Sequence, residues 1–207
     1  MQQGYIPSQN IQYQIFEYQN HINLNPKLYD IVNSNLQNKV QGEGNITNTI
    51  LHKNNYSEID TLLKWIESIL PQAAHKFSNG FTNKETEISI EEELDLYKKQ
   101  ESYTGGEYGF DINGFKIDSC WGILFNMGEA LLPHNHFPFC MSFCYYVNAP
   151  EGSPPLIIDG DPVNTEAGKL IIFYGHQTHF VPPCFINGRC SIVGNVLYSH
   201  QVEEQDF

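Results

Sequence analysis

The stretch WGILFNMGEALLPHNHFP (residues 121–138) decides the fold. It contains an apolar run of strand character, a turn at Gly128 and then the closely spaced pair His134-Asn135-His136. Residues i and i+2 of a β-strand project to the same face, so this pattern predicts that both imidazoles point to one side of a sheet. A His-x-His pair alone is weak evidence for a metal site, because paired histidines also occur as ordinary core or surface residues.

A third histidine, His179, strengthens the metal hypothesis. It follows another apolar run, Lys169 to Phe173. Three imidazoles are sufficient to bind a divalent transition metal. We therefore predict a metal site made of His134, His136 and His179, and we interpret the neighbouring His176 as a loop residue.

Short apolar or alternating runs, separated by glycine, proline and asparagine, continue through the second half of the chain. Such spacing predicts a mainly β fold, a sandwich or barrel of the jelly-roll kind. Asn113-Gly114, between residues 110–112 and 115–117, predicts a two-residue hairpin. The other predicted strands cover residues 119–126, 139–148, 155–158, 169–173 and 189–198.

The first half of the chain has a different pattern. Apolar residues recur at helical spacing after Ser57, which predicts an amphipathic helix that ends at Pro71. A weaker helix is predicted for residues 26–36, a polar loop for residues 37–56, and a charged exposed segment for residues 85–101. We predict that residues 1–104 form a helical and irregular N-terminal extension of the same domain, and that residues 105–207 form the jelly-roll catalytic core.

Composition excludes some classes of partner. A formal net charge of −13 opposes binding to nucleic acid or to an anionic membrane, so neither partner is predicted. The first residues have neither the basic start nor the apolar run of a signal peptide or membrane helix, which predicts a cytoplasmic protein. Five cysteines without a CxxC pair are interpreted as small buried hydrophobes, with a Cys/His zinc site as the alternative.

Arg189 is the only arginine of the chain and lies ten residues after His179. A guanidinium can hold a carboxylate through two parallel hydrogen bonds, so its position predicts a small acid bound beside the metal. On a strand, Ser191 shares the face of Arg189 and could add a hydroxyl donor. The alternative is an ion pair with one of the 24 acidic side chains, which is worth about 0–1 kcal/mol at a surface.

Together these pieces resemble the Fe(II)/2-oxoglutarate-dependent oxygenases, particularly the prolyl-hydroxylase-related branch that includes uncharacterised bacterial and phage proteins. The resemblance spans residues 121–195 and implies a double-stranded β-helix with the N-terminal helices packed on it. It implies Fe(II) and 2-oxoglutarate as cofactors, and hydroxylation of a small-molecule or peptidyl substrate as the activity.

The resemblance also implies roles for individual residues. His134 and His179 match two metal ligands, and Arg189 with Ser191 matches an Arg-x-Ser pattern that binds the distal carboxylate of 2-oxoglutarate. Tyr146 matches a strand tyrosine that helps to hold this carboxylate, whereas Tyr145 is interpreted as core. Asn195 is expected to face the site, without an assigned role, and Phe137, Phe139 and Phe180 to form apolar walls or simply to pack in the core.

One position departs from the family pattern. The family has His-x-Asp/Glu, whereas this chain has His136 in place of the carboxylate. Glu129, Asp159 or Asp161 could supply a carboxylate from a loop. Two alternatives therefore stay open: a three-histidine cupin-type dioxygenase that does not use 2-oxoglutarate, and a non-catalytic metal-binding jelly-roll protein.

Overall fold

A computed structural model of the chain describes residues 13–37, 42–78 and 114–199. Its strands are Tyr13–Glu17 (β1), Asn45–Ile46 (β2), Phe115–Phe125 (β3), Leu131–His134 (β4), Met141–Asn148 (β5), Leu156–Ile158 (β6), Asp161–Val163 (β7), Lys169–Tyr174 (β8), His179–Val181 (β9) and Arg189–Tyr198 (β10). The helices are His21–Ser34 (α1) and Ser57–Ser78 (α2), with a short 3₁₀ turn at Leu51–Lys53.

The strands form two antiparallel sheets. The larger sheet has the order β1-β8-β5-β10-β3-β2, and the smaller one has the order β4-β9-β6-β7. The eight strands from β3 to β10 cross repeatedly between the sheets and form a double-stranded β-helix, so the predicted jelly roll is confirmed. β1 and β2 come from the N-terminal part of the chain and add an edge strand to each side of the larger sheet.

The predicted strands of the second half agree closely with β3, β5, β6, β8 and β10. A two-residue hairpin also joins β6 to β7, where Asp159 and Gly160 have φ angles of 48° and 94°. Its Asp-Gly sequence between apolar residues is a hairpin signal that the sequence analysis did not use. The predicted hairpin at Asn113-Gly114, the segment 85–101 and the boundary at residue 105 lie outside the described residues.

Both predicted helices form, but their ends differ from the predictions. α1 begins at His21, before the predicted start at Pro26. The predicted end of α2 at Pro71 is wrong, because the apolar stripe continues and buries Ala73 and Phe77. The last turns are also bonded to the sheet: Gln14 Nε2 donates to the Ala73 carbonyl at 2.8 Å, and the Tyr174 hydroxyl donates to the Phe77 carbonyl at 3.1 Å. These contacts compensate for the loss of one helical hydrogen bond at Pro71, which has no backbone N–H to donate.

The two helices cover the outer face of the larger sheet. Leu28, Val32, Leu62 and Ile66 are fully buried in one cluster with sheet residues such as Tyr145. A Cβ at Gly122 would lie 2.5 Å from the Val32 side chain, so this glycine lets α1 lie directly on β3. Tyr145 is core, as predicted, and its hydroxyl donates to Asn25 Oδ1 at 2.7 Å. The inner face of the larger sheet, opposite the smaller sheet, is therefore the face left for a site.

Within the described residues, no helix is long and apolar enough to cross a membrane.

Candidate metal and cosubstrate site

Three histidines meet at one end of the smaller sheet. His134 ends β4 and is paired across the sheet with His179, the first residue of β9. The ring centroids lie 4.3 Å apart for His134–His179, 5.0 Å for His134–His136 and 4.9 Å for His136–His179. One nitrogen of each ring lies within 4.8 Å of the others, a spacing that suits three ligands of one ion.

His136 reaches this cluster by a different route from the one predicted. It lies two residues beyond the end of β4, so strand alternation does not place it there. Instead, its backbone N–H donates to the Gly175 carbonyl at 2.6 Å, which ties the segment after β4 to the turn after β8. The Trp121 ring lies against His136 at 5.8 Å between centroids. His176 is an exposed loop residue stacked on Tyr174, as predicted.

Backbone carbonyls orient two of the rings. With its proton on Nδ1, His134 donates to the Leu132 carbonyl at 2.8 Å, and His179 donates to the Gln177 carbonyl at 3.1 Å. Both rings then offer an unprotonated Nε2. Burial lowers the pKa of His136 to about 4 and that of His179 to about 4, so both imidazoles are neutral at physiological pH. The neutral form is the one that binds a metal.

The histidines face a cavity of about 210 Å³ between the two sheets. The central strand β10 sends alternate side chains into it, and the neighbouring strands add partners at the same level. At successive levels, Arg189 pairs with Phe125, Ser191 lies between Ile123 and Tyr146, Val193 lies between Trp121 and Cys144, and Asn195 lies between Ser119 and Ser142.

Arg189 is buried at one end of this cavity, with 1% of its surface exposed. Its guanidinium carbon lies 4.9 Å from the centre of the Phe125 ring and 5.3 Å from that of Tyr146. Nε and Nη2 have no hydrogen-bond partner among the described residues. The alternative of an ion pair with a surface carboxylate is therefore not supported: the ion pairs of the described residues join Lys27 to Glu58 and Lys169 to Glu17.

Tyr146 is a second polar group next to Arg189, and its ring packs against the guanidinium. Its hydroxyl is buried and makes no hydrogen bond of good geometry among the described residues, while the Cys144 thiol and the Arg189 guanidinium lie close enough to influence its pKa. Burial raises the pKa of Tyr146 well above its usual value, so the hydroxyl stays protonated and can donate. Ser191 is also buried, lines the cavity and lies beside Tyr146 across the sheet. Five of the six residues proposed from the sequence thus line one cavity, and the sixth, Tyr146, lies beside Arg189 and Ser191.

These unpaired groups are costly without a ligand. A buried hydrogen-bonding group with no partner costs about 1–3 kcal/mol, and more when it is charged. Aromatic faces offset part of the cost of a guanidinium, by roughly 0.5–2 kcal/mol, but they cannot accept its directional hydrogen bonds. A carboxylate placed between Arg189 and Tyr146 would accept from both, and the cavity connects this position to the three histidines.

The loop acids considered from the sequence have other partners. The Glu129 carboxylate accepts from the Asn126 backbone N–H at 2.9 Å and from Asn45 Nδ2 at 3.1 Å. Asp159 accepts from Gln177 and from the backbone of Thr178, and Asp161 is exposed on β7. Among the described residues, the cluster with metal-ligand spacing contains the three histidines alone. A loop carboxylate as a direct ligand is therefore not supported.

The predicted apolar walls were wrong. Phe137 is 77% exposed, and none of Phe137, Phe139 and Phe180 is among the described residues that line the cavity. Phe125 and Phe173 line it instead, because strand alternation on β3 and β8 turns them inward. The inward set on β3 could have been found by extending the predicted strand alternation from Trp121.

Asn195 lies on the inner side of β10, as expected, and holds two serines. The Ser142 hydroxyl donates to Asn195 Oδ1 at 3.0 Å, and Asn195 Nδ2 donates to the Ser119 hydroxyl oxygen at 3.1 Å. All five cysteines are free, and four of them are buried, which agrees with their interpretation as small hydrophobes.

Comparison with known proteins identifies the class of fold. No protein-family model matches the chain, and no curated protein matches its sequence. Among solved structures, a viral collagen prolyl hydroxylase from Paramecium bursaria Chlorella virus-1, in its complex with 2-oxoglutarate, has a TM-score of 0.60 at 11% identity. The match covers 92% of this chain and 98% of that one.

Two further structures are similar over most of their length. A prolyl-4-hydroxylase from Pseudomonas putida has a TM-score of 0.54 at 17% identity, with 91% of this chain and 93% of that one covered. The non-haem α-ketoglutarate-dependent epimerase SnoN of nogalamycin biosynthesis has a TM-score of 0.58 at 9% identity, with 94% and 83% covered. The chain therefore has the double-stranded β-helix fold that these prolyl hydroxylases and this α-ketoglutarate-dependent epimerase share.

Proposed function

We propose that the chain is an Fe(II)- and 2-oxoglutarate-dependent oxygenase that hydroxylates its substrate. One observation carries the proposal: a fully buried guanidinium with two unpaired nitrogens among the described residues lines the same cavity as three metal-competent histidines, and the Tyr146 ring packs against this guanidinium. A dicarboxylate whose other end chelates a metal satisfies both halves of this cavity at once.

The residues present fit both groups. His134, His136 and His179 would hold Fe(II) through imidazole nitrogens, and Arg189 with Tyr146 would hold the distal carboxylate of 2-oxoglutarate. When bound, iron and 2-oxoglutarate together supply the oxidising chemistry for hydroxylation.

The protein contributes binding, orientation and a dry site. Arg189 and Tyr146 act as donors to one carboxylate, which fixes the direction of the acid along the cavity. Phe125 and Phe173 are buried, with 0% and 2% of their surface exposed, and they help keep water away from the bound acid. The Nδ1 bonds of His134 and His179 hold the ligand rings in place before metal arrives.

The volume of the cavity limits how the substrate can bind. About 210 Å³ is less than the roughly 300–1,000 Å³ of pockets that enclose a whole drug-sized ligand. We infer that the cavity encloses the cosubstrate and only the reacting group of the substrate. A small-molecule or a peptidyl substrate meets this condition.

The remaining sequence-based inferences are also proposals. Helices and larger sheet share one hydrophobic cluster, which supports a single domain that includes the N-terminal extension. Five free cysteines support a reducing compartment such as the cytoplasm. The acidic net charge supports a partner that is neither nucleic acid nor membrane.

A titration tests the proposal. Anaerobic protein with one equivalent of Fe(II) should develop the visible absorption band of a metal-chelated 2-oxo acid when 2-oxoglutarate is added, and in air it should form succinate. Iron binding without band or succinate would contradict the proposal and favour the three-histidine dioxygenase that does not use 2-oxoglutarate. Failure to consume oxygen at all would favour the non-catalytic metal-binding protein.

A further inference from the structure

The hairpin between β6 and β7 places an aspartate against the two residues that precede the proposed metal ligand His179. Ile158, the last residue of β6, is paired with His179 across the smaller sheet. Asp159 follows and adopts a positive φ of 48° as the first residue of the two-residue turn, a conformation that aspartate tolerates well in such hairpins. Its backbone N–H donates to the Thr178 carbonyl at 2.8 Å, so the turn is fixed against the segment that precedes β9.

The Asp159 carboxylate uses both oxygens on that segment. Oδ1 accepts from the Thr178 backbone N–H at 2.9 Å, and Oδ2 accepts from Gln177 Nε2 at 3.0 Å. Gln177 is 4% exposed, and its Oε1 accepts from the Tyr174 backbone N–H at 2.9 Å. The backbone carbonyl of Gln177 is also the acceptor for His179 Nδ1. The Asp159 carboxylate thus holds Gln177 and Thr178, the two residues before His179, and through Gln177 the carbonyl that orients the His179 ring.

We propose that Asp159 and Gln177 are positioning residues for the metal: they fix the carbonyl that orients His179 and place beside this ligand the negative charge that a three-histidine set lacks. The inference rests on the metal site of the proposed function. Asp159 is not a ligand itself, since its oxygens are already hydrogen-bonded to the protein.

Electrostatics support this role. Burial lowers the pKa of His179, while the hydrogen bond to the Gln177 carbonyl and, more weakly, the Asp159 charge oppose the shift. A ring whose Nδ1 proton is held by a well-anchored acceptor, close to a negative charge, is a stronger electron donor at Nε2. In the usual two-histidine, one-carboxylate site, a negative charge binds the metal directly; here it would act from behind one imidazole.

The acid of Asp159 and the amide of Gln177 can be exchanged between the two positions, and this exchange tests whether their hydrogen bond matters for the metal. In Asp159→Asn the new amide group would face Gln177 Nε2, and both are donors; Gln177 cannot turn over without losing its bond from Tyr174. In Gln177→Glu two carboxylates would face each other. The double variant Asp159→Asn with Gln177→Glu restores a donor opposite an acceptor, keeps both backbone bonds and leaves the net charge of the wild type unchanged.

Co(II) titration of the folded apoprotein, followed by the visible absorption of the bound ion, measures the effect. We expect each single variant to bind Co(II) about 10- to 100-fold more weakly than wild type, as is typical when the residue that orients a ligand is lost. The double variant should recover most of the affinity and the wild-type band shape. The control Asp161→Asn, which changes the exposed acid of the same hairpin, should bind as the wild type does.

Three outcomes would overturn the inference while the proposed function stands. Wild-type affinity in both single variants would show that the pair does not act on the metal. Loss in both single variants without recovery in the double variant would show that the exchange of hydrogen bonds is not what matters. A lower thermal midpoint of the Asp159→Asn apoprotein, with unchanged Co(II) affinity, would assign the pair to hairpin stability alone. A wild type that binds no Co(II) would instead remove the metal site, and with it both the proposed function and this inference.

Discussion

Replacing Arg189 with methionine should make the apoprotein more stable while it abolishes tight binding of 2-oxoglutarate. The guanidinium is 1% exposed, and two of its nitrogens have no partner among the described residues. Methionine has a similar length, no charge, and favourable contacts with the Phe125 and Tyr146 rings that flank the site. The variant therefore removes a desolvated charge and keeps most of the packing.

The expected gain follows from these contacts. Two unpaired donors on a charged group cost at least about 1–3 kcal/mol each, and the lost cation–π contacts offset roughly 0.5–2 kcal/mol. Replacement of buried ionic groups by packed apolar ones stabilises proteins by about 1–4 kcal/mol in favourable cases. We expect about 1–3 kcal/mol in the free energy of unfolding, or roughly 2–4 °C in Tm for each kcal/mol at this chain length.

Ligand stabilises the wild type more than the variant, and so acts against the gain of the apoprotein. At a concentration of 2-oxoglutarate one hundred times its Kd, the wild type with metal gains about 2.7 kcal/mol from binding. The variant loses charge-assisted bonds worth at least about 2 kcal/mol, so its titration shifts more than tenfold and its gain falls accordingly. Urea unfolding of both proteins, with and without metal and 2-oxoglutarate, measures the free energy of unfolding in each state.

Lys169→Met is a matched control, because it removes the same charge at the exposed pair with Glu17 and should leave 2-oxoglutarate binding unchanged. The reasoning is refuted if the Arg189→Met apoprotein is destabilised by about 3–5 kcal/mol, as happens when one partner of a buried ion pair is removed. That result would mean that Arg189 has a structural anionic partner within the protein.

Three further predictions concern the same fold. Tyr146→Phe should weaken 2-oxoglutarate binding by about 0.5–1.5 kcal/mol without destabilising the apoprotein, because the lost hydroxyl makes no hydrogen bond among the described residues. Calorimetric titration measures the binding, and thermal unfolding measures the stability. A destabilised apoprotein would contradict this prediction. His136→Ala should lose the metal, whereas His136→Asp should retain Fe(II); full Fe(II) binding by the alanine variant would show that His136 is not a ligand. Gly122→Ala should destabilise the protein by about 1–3 kcal/mol in urea unfolding, since the Cβ of the new alanine would lie 2.5 Å from the Val32 side chain. A variant as stable as the wild type would show that α1 is not held tightly on β3.

The sequence predicted the site better than the route by which its residues come together. That Arg189 and Ser191 share a face was predictable because strand alternation depends on local pattern alone. Tyr146 was proposed from the family resemblance, since its pairing with Ser191 joins strands far apart in the chain. His136 lies in the histidine cluster, but not for the reason that the sequence analysis gave. Its place depends on a bond to Gly175, a contact between segments far apart in the chain, which periodicity does not encode.

The same distinction explains the errors in the helices and in the cavity walls. Proline is a strong local signal for a helix end, but α2 continues through Pro71 because distant residues, Gln14 and Tyr174, bond to its last turns. Phe137 is apolar, yet it is exposed because it follows the strand end, where alternation no longer applies. Local propensity is a weak predictor wherever tertiary contacts set the outcome.

Charge links the unusual triad to the rest of the cavity. A divalent metal on three neutral imidazoles carries two positive charges, and Arg189 adds a third, whereas 2-oxoglutarate brings two negative charges. With the usual carboxylate ligand these charges would balance; with His136 in its place, one positive charge is left over. Asp159 is anchored next to His179 rather than on the metal, so it can compensate this charge while leaving the coordination positions to the histidines and the cosubstrate. The His136→Asp and Asp159→Asn variants therefore change the same quantity in opposite directions, and combining them should bring the net charge of the site back to that of the wild type.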